Sequence, residues 1–376
     1  MSAQAPQRLI ELDSLRGIAA LVVVLHHAWL SLSEQPSWLV WLFSDTPLRP
    51  IGMGRQAVIF FFVLSGYVLT LALLRQERKR PGSVLTVSGW AQYGLQRAIR
   101  LGIPVLAVVL FSAALQSMFW SGPLPDGTPH ILAGAIWSDM WTWSDVVSQA
   151  LLLRSGDGFQ LNPVLWSLVH EWRIALLLPL VLLFRGRVAL LLATALLGAA
   201  IARLAGMPEG QVALGQSLPG SLAASAGFLP AFAAGAALAL RPGVKLDQTQ
   251  AVAAGTAILV MVMAAHDYGV IAASALLILL AERGGPLART LRQAGLLWLG
   301  KISFSLYLIH MPLMLALAHA FRGMLPDWAI AGLAIPLSLP LAFALHMLVE
   351  QPAHRLARRV PQPRRQASRR GAMEQA

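Results

Sequence analysis

The sequence contains no cysteine and few charged residues. Of its 376 residues none is Cys, and 12% are charged, where a soluble domain has roughly 25%. The lack of cysteine excludes disulfide bonds, thiolate metal sites and cysteine nucleophiles. The shortage of charge, together with 57% hydrophobic residues and a mean hydropathy of +0.64, argues against a soluble domain and indicates an integral membrane protein.

Several common motifs are also missing from the sequence. It has no HExxH pair for a metal, and no P-loop or GxGxxG turn before a helix. We therefore expect no metal site and no tightly bound cofactor, and a nucleotide-bearing ligand would need scattered basic side chains at a membrane face. The N-terminus lacks the short apolar core and cleavage site of a signal peptide, so the first apolar helix is expected to direct membrane insertion.

Ten apolar runs approach the length that crosses a bilayer, which is about 20 residues for a helix. They predict an all-α fold, a polytopic integral membrane bundle of about ten transmembrane helices. The pair 249–265 and 268–281 is the weakest part of this prediction, because both runs are short and only His266 and Asp267 divide them. The runs are 15–33, 56–74, 101–120, 163–184, 188–206, 219–240, 249–265, 268–281, 294–320 and 328–349.

The net charge of +12 is distributed unevenly between the two sides of this arrangement. Nearly all Lys and Arg residues fall on the side that holds both termini, which predicts that this side is cytoplasmic, N-in and C-in. The charge is thus explained by topology, and we expect no nucleic-acid partner. Residues 1–352 form the predicted transmembrane domain. Residues 353–376 form a basic cytoplasmic tail, expected to be disordered, that fixes topology or lies against anionic lipid.

The first span carries an arginine and a histidine in an otherwise apolar stretch. Arg16 and His27 are eleven residues apart, so they share a helix face within about 20° and lie about 16 Å apart along the axis. Arg16 is then at the membrane edge and His27 near the bilayer centre, where an ionisable group is costly and indicates a functional site. His26 points about 80° away, and we expect it to bond to a neighbouring backbone carbonyl or side chain.

The fourth span contains Glu171. Counted from a helix start at Asn162 and Pro163, this carboxylate lies about 12 Å below the outer edge, at a depth similar to that of His27. A carboxylate and an imidazole at one depth can act as a base and its orienting partner. A structural ion pair, or neutralisation of Glu171 by Arg173 or His170, explains the spacing equally well.

Other polar residues in the spans have two interpretations each. Ser65 lies mid-span beside Gly66, and this pair favours close helix packing over a serine nucleophile, because no Gly-x-Ser-x-Gly elbow is present. Arg97 and Arg100 share a helix face at a membrane mouth, where they suit bidentate phosphate binding or ordinary snorkelling to lipid. Tyr307 and His310 are neighbours on the ninth span.

These segments together resemble the membrane-bound acyltransferase family 3 over nearly the whole chain. LDSLRGIAALVVVLHH resembles the family's first-span signature, an Arg and a His with ten residues between them, at Arg16 and His27. The other matching segments are FFFVLSGY, RAIRLGIP, NPVLWSLVHE, LGKISFSLYLIHMP and VEQP. Two features depart from the pattern. Ile59 stands where members often carry an acidic residue, and we expect no esterase-like domain after the last helix, although some members have one.

The resemblance implies transfer of an acyl group, usually acetyl, from cytoplasmic acyl-CoA to a hydroxyl of a carbohydrate or glycolipid on the extracytoplasmic side. It implies a multi-pass protein of the bacterial inner membrane, with acetyl-CoA as donor substrate. Arg16, Arg97 and Arg100 would hold the CoA phosphates. His27 would be the general base, oriented by Glu171. In the alternative mechanism, His27 would itself carry the acyl group as an acyl-histidine intermediate.

Two other classes and one other acceptor are compatible with the residues. A transporter would also have ten helices and buried ionisable groups, but it predicts discontinuous helices and repeated halves, and the sequence has no repeat. A non-catalytic scaffold leaves His27 and Glu171 unexplained. Within the enzyme interpretation, a small secondary metabolite is the alternative acceptor to a polysaccharide or lipid-linked sugar.

Overall fold

The computed structural model describes residues 10–125, 127–129, 131–133, 136–152, 159–206, 217–241 and 246–361. Within these ranges all regular structure is helical, which confirms the predicted all-α class. Most of the predicted basic tail, residues 362–376, lies outside the described residues, as does the N-terminal segment 1–9. The tail's predicted disorder and cytoplasmic position therefore stay predictions.

Fifteen α-helices follow one another along the described chain. They are α1 (Ile10–Leu30), α2 (Ser37–Ser44), α3 (Gly54–Lys79), α4 (Val87–Phe119), α5 (Trp143–Ala150), α6 (Leu165–Leu177), α7 (Val188–Leu204), α8 (Leu218–Gly227), α9 (Leu229–Leu240), α10 (Gln248–Ala264), α11 (Asp267–Arg283), α12 (Pro286–Leu291), α13 (Ala294–Ala320), α14 (Asp327–Leu345) and α15 (Gln351–Arg358). Two 3₁₀ segments, Arg49–Gly52 and Leu178–Phe184, and a π-helical turn, His346–Glu350, complete the list.

Each of the ten predicted apolar runs corresponds to a helix or to a pair of consecutive helices. By length and composition, five helices in the described part of the chain suffice to cross a membrane, or six if α8 and α9, bent by 41°, form one span. The helices α7 and α10 have 17 residues each, about 26 Å, less than a hydrocarbon core of about 30 Å. The count of ten spans and the orientation therefore stay predictions.

The helices α1 and α13 run in parallel and cross closely where two glycines meet. A Cβ atom on Gly17 would lie 2.6 Å from the backbone nitrogen of Gly300, and one on Gly300 would collide with the carbonyl of Asp13. Only glycine permits this approach. Ten residues further along each helix, the same alignment places His27 opposite His310.

A second close crossing joins α3 to α9. A Cβ atom on Gly66 would collide with the carbonyl of Phe232, and one on Gly235 with the carbonyl of Val63. The prediction that small residues at Ser65 and Gly66 allow close helix packing is confirmed at Gly66. Ser65, one residue before, points to a different side of α3, where its hydroxyl is available to the polar site.

Candidate functional site

His27 and His310 form a stacked, hydrogen-bonded pair between α1 and α13. The His27 Nδ1 atom lies 2.8 Å from His310 Nε2, and the two ring centroids are 5.1 Å apart. His310 is buried, and its Nδ1 lies 3.1 Å from the carbonyl oxygen of Leu306. Because a carbonyl only accepts, His310 Nδ1 carries a proton, and its Nε2 accepts from the Nδ1–H of His27. In the neutral pair His27 Nε2 is therefore an unprotonated acceptor.

His26 faces away from this pair, as the helical geometry predicts. Its Nδ1 lies 2.6 Å from the carbonyl oxygen of Gly52, which confirms the expected bond to a neighbouring carbonyl. A Cβ atom on Gly54 would lie 2.6 Å from Cγ of the His26 ring. His26 thus fixes α1 against the start of α3.

A cavity of about 160 Å³ lies among α1, α3, α4, α6, α13 and the π-helical turn. It contains six of the residues predicted from sequence: Arg16, Ser65, Arg97, Arg100, Glu171 and Tyr307. Arg100 is exposed and Arg16 half-exposed, whereas Arg97 is buried. The three guanidinium groups thus extend from the opening of the cavity toward its interior.

Glu171 is paired inside this cavity with Arg97 and Ser65. Its Oε1 lies 3.0 Å from Arg97 Nη2 and accepts a 3.1 Å hydrogen bond from the Ser65 hydroxyl. The neighbours considered from sequence are engaged elsewhere: Arg173 Nη1 donates to the carbonyl of Ser221 at 3.0 Å, and His170 Nδ1 lies 2.9 Å from the Ser225 hydroxyl. Neutralisation of Glu171 by either neighbour is therefore wrong.

The structure does not join Glu171 to His27, and the start of α6 explains why. The buried Asn162 donates from Nδ2 to the carbonyl of Leu308 at 2.9 Å, so α6 begins inside the bundle, level with the middle of α13. The predicted equal level of Glu171 and His27 in the bundle is therefore wrong. Glu171 lies nine residues after Asn162 and contacts Arg97, whereas His27 contacts His310.

Tyr307 lines the cavity and also lies beside His310 of the histidine pair. Its hydroxyl donates to the carbonyl of Val164 at 2.9 Å and lies 2.6 Å from the Ser167 hydroxyl. Its ring centroid is 6.1 Å from that of His310. Ser167 was not predicted as a site residue, although it lies four residues before Glu171 and hence on the same helix face.

Glu350 also lines the cavity, at the π-helical turn between α14 and α15. Its Oε2 accepts from the Ser305 hydroxyl at 2.7 Å and lies 2.9 Å from His346 Nδ1. A serine and a histidine thus hold this carboxylate. His354, on α15, lines the same wall. Sequence periodicity misses this group because a π-helical turn shifts the register of the residues that share a face.

A bundle of apolar helices encloses a cavity lined by three arginines, beside a largely buried histidine pair. These features define a membrane protein with an internal polar site. A family model described as an acyltransferase domain, acyltransferase 3, matches residues 9–347. The chain belongs to this family, which confirms the resemblance of its motifs.

A curated relative is consistent with the family. The chain is 31% identical over 207 residues to the O-acetyltransferase PaAT-1 of Phomopsis amygdali, an alignment that covers 47% of this chain and 40% of the relative. The aligned part is thus less than half of that protein's length. No solved structure matches the chain.

Proposed function

We propose that the protein is an integral membrane O-acyltransferase. It moves an acyl group, for which acetyl is the expected one, from cytoplasmic acyl-CoA to an acceptor hydroxyl. The acceptor is a carbohydrate or glycolipid on the extracytoplasmic side. The family membership and the likeness to an O-acetyltransferase support this activity. The observation that carries it is a basic cavity whose inner end lies beside the His27–His310 pair. The proposal includes ten spans, both termini in the cytoplasm, and a bacterial inner membrane.

The donor occupies the cavity in this proposal. Arg16 and Arg100, at the opening, bind CoA phosphates, for which a guanidinium group offers a bidentate fork. Arg97 lies deeper and is held by Glu171, so it meets the inner part of the donor. The narrow pantetheine arm extends along α3 and α4 toward Tyr307. Acyl-CoA is a substrate here, and no tightly bound cofactor is invoked.

His27 acts as the general base in this proposal. Its unprotonated Nε2 takes the proton of the acceptor hydroxyl as that oxygen attacks the thioester carbonyl. The carbon–sulfur bond breaks, and the proton on the imidazolium passes to the CoA thiolate, which leaves an ester and CoA with a free thiol. Positioned acid–base catalysis of this kind supplies about 10²–10⁴-fold in rate.

The orienting role passes from Glu171 to His310 in this mechanism. His310 contacts His27 directly and, through its bond to Leu306, selects the tautomer that leaves His27 Nε2 unprotonated. Glu171 serves instead to hold Arg97 and Ser65 in the donor cavity. It is a positioning residue of the donor site.

The test measures release of CoA thiol from acetyl-CoA by the purified protein, with and without a carbohydrate and glycolipid extract of the producing cells. Because the chain has no cysteine, a thiol reagent reports only the released CoA. We expect acceptor-dependent release and an acetylated acceptor, with a loss of about 10²-fold or more in His27→Ala and a much smaller loss in His26→Ala. A His27→Ala protein that keeps full transfer, or an essential His26, contradicts the assignment.

A transporter is the alternative that one observation favours, because α8 and α9 form a helix pair broken by a 41° bend. It predicts movement of a solute across vesicles without release of CoA thiol. Acceptor-dependent thiol release excludes it. The same assay with a secondary-metabolite fraction in place of the glycan extract distinguishes the alternative acceptor class.

A further inference from the structure

An aromatic pair closes the inner end of the donor cavity. Phe61 on α3 and Tyr307 on α13 meet edge to face, with ring centroids 6.1 Å apart and planes at 69°. Both line the cavity, whereas His27 and His310 are absent from the described residues that line it. Since the Tyr307 ring also lies 6.1 Å from His310, the pair stands between the cavity and the proposed base.

The two rings are held in different ways. Tyr307 is buried, and its hydroxyl is fixed by the Val164 carbonyl and the Ser167 hydroxyl. Phe61 is half-buried and has no polar group, so packing alone holds its ring. A side chain held only by packing can change rotamer when a ligand presses on it. Phe61 is therefore the movable side of this constriction and Tyr307 the fixed side.

We propose that Phe61 determines which acyl groups the enzyme transfers, because the acyl group must pass the Phe61–Tyr307 constriction to reach His27. An acetyl group needs a small displacement of the Phe61 ring, and each added methylene needs more. A single methylene in an apolar pocket changes kcat/KM by about 10–200-fold. This inference rests on the proposed function, and it adds the residue that sets the acyl specificity.

The experiment compares kcat/KM for acetyl-, butyryl- and hexanoyl-CoA in purified wild type, Phe61→Leu and Phe61→Ala. The matched control is Leu69→Ala, which enlarges the same cavity eight residues further along α3, about 12 Å from the constriction. We expect the butyryl-to-acetyl ratio to rise at least about tenfold in Phe61→Ala and less in Phe61→Leu. The ratio in Leu69→Ala should remain that of wild type.

Every other result contradicts either the inference about Phe61 or the proposed function. A folded Phe61→Ala protein with the wild-type ratio overturns the inference, as does an equal shift in Leu69→Ala. If Phe61→Ala does not fold in detergent, Phe61→Leu supplies the same comparison. Failure of wild type to cleave any of the thioesters overturns the proposed function together with the inference, whereas transfer with an unchanged ratio overturns the inference alone.

Discussion

At the scale of single residues, spacing along one helix predicted the residues of the candidate site. It predicted their contact partners less well. Arg16, Arg97 and Arg100 were selected as an anion site, and they line one cavity. His27 was selected because an imidazole near the bilayer centre is costly. Helical periodicity says which face a residue occupies, but it does not say which two helices meet. His310 as the partner of His27 therefore needed the structure.

Glu171 shows a second limit of the sequence at this scale. Its depth was counted from the predicted edge of the membrane, but Asn162 is buried against Leu308 and α6 begins inside the bundle. Hydropathy does not reveal how far the chain has already entered the helix bundle before the helix itself begins. The position of Glu171 beside Arg97 followed only from the contacts of the preceding residues.

We predict that His310 acts on the rate and not on donor binding. In His310→Ala the Nδ1–H of His27 loses its acceptor, so kcat should fall by roughly 10²-fold while KM for acetyl-CoA stays within about twofold. His310→Gln, whose amide oxygen can accept from His27, should recover part of the rate. Steady-state kinetics of the three proteins, beside their thermal stability in detergent, give the comparison. A folded His310→Ala protein with unchanged kcat would remove His310 from the mechanism.

At the scale of helices, glycine positions explain how the site is aligned. The meeting of Gly17 and Gly300 sets the register of α1 against α13, and thereby brings His27 to His310. Sequence analysis predicted close packing only at Ser65 and Gly66, because Gly17 and Gly300 lie in different spans and nothing in the sequence pairs them. The same applies to the π-helical turn that places Glu350 in the cavity wall.

We expect Gly300→Ala to disrupt both stability and catalysis. The added Cβ would collide with the carbonyl of Asp13, and overpacking of this kind costs about 1–3 kcal/mol. The matched control is Gly295→Ala on the same helix, where no described atom lies within 4 Å of the added Cβ. The thermal unfolding temperature and the transfer rate should fall for Gly300→Ala and stay at the wild-type values for Gly295→Ala. Equal behaviour of the two variants would show that the crossing does not set the register.

At the scale of the whole molecule, the sequence predicted the all-α class, which is confirmed, and about ten spans, a number that stays a prediction. The all-helical bundle follows from ten apolar runs in a chain with 12% charged residues. Length and composition of the helices support five or six spans. The helices α7, α10 and α11 have only 17 residues each, and α1, although 21 residues long, carries Glu11, Asp13 and Arg16 in its first half and is not among the five. Whether a short helix crosses a bilayer depends on tilt and local thinning, which the sequence does not encode directly.

Single cysteines test the ten-span topology cleanly, because the natural chain has none. Ser44→Cys and Ser88→Cys, both exposed, calibrate the outer and inner faces for a membrane-impermeant maleimide. Ala205→Cys lies directly after the short helix α7, and Ala264→Cys is the last position of α10. Both should label from outside in intact cells. Labelling of these two positions only after permeabilisation would show that the short helices do not cross.

The measurement that tests the central claim most directly is protection of the cavity by the donor. Leu101→Cys places a single thiol in the cavity, at the middle of α4, and Met118→Cys places one at the exposed C-terminal end of the same helix. In detergent-solubilised protein, where both faces are accessible, saturating acetyl-CoA, which has no free thiol, should slow maleimide modification of Leu101→Cys at least about tenfold. The modification rate of Met118→Cys should stay unchanged. Modification of Leu101→Cys at the same rate with and without saturating acetyl-CoA would contradict the assignment of this cavity to the acyl donor.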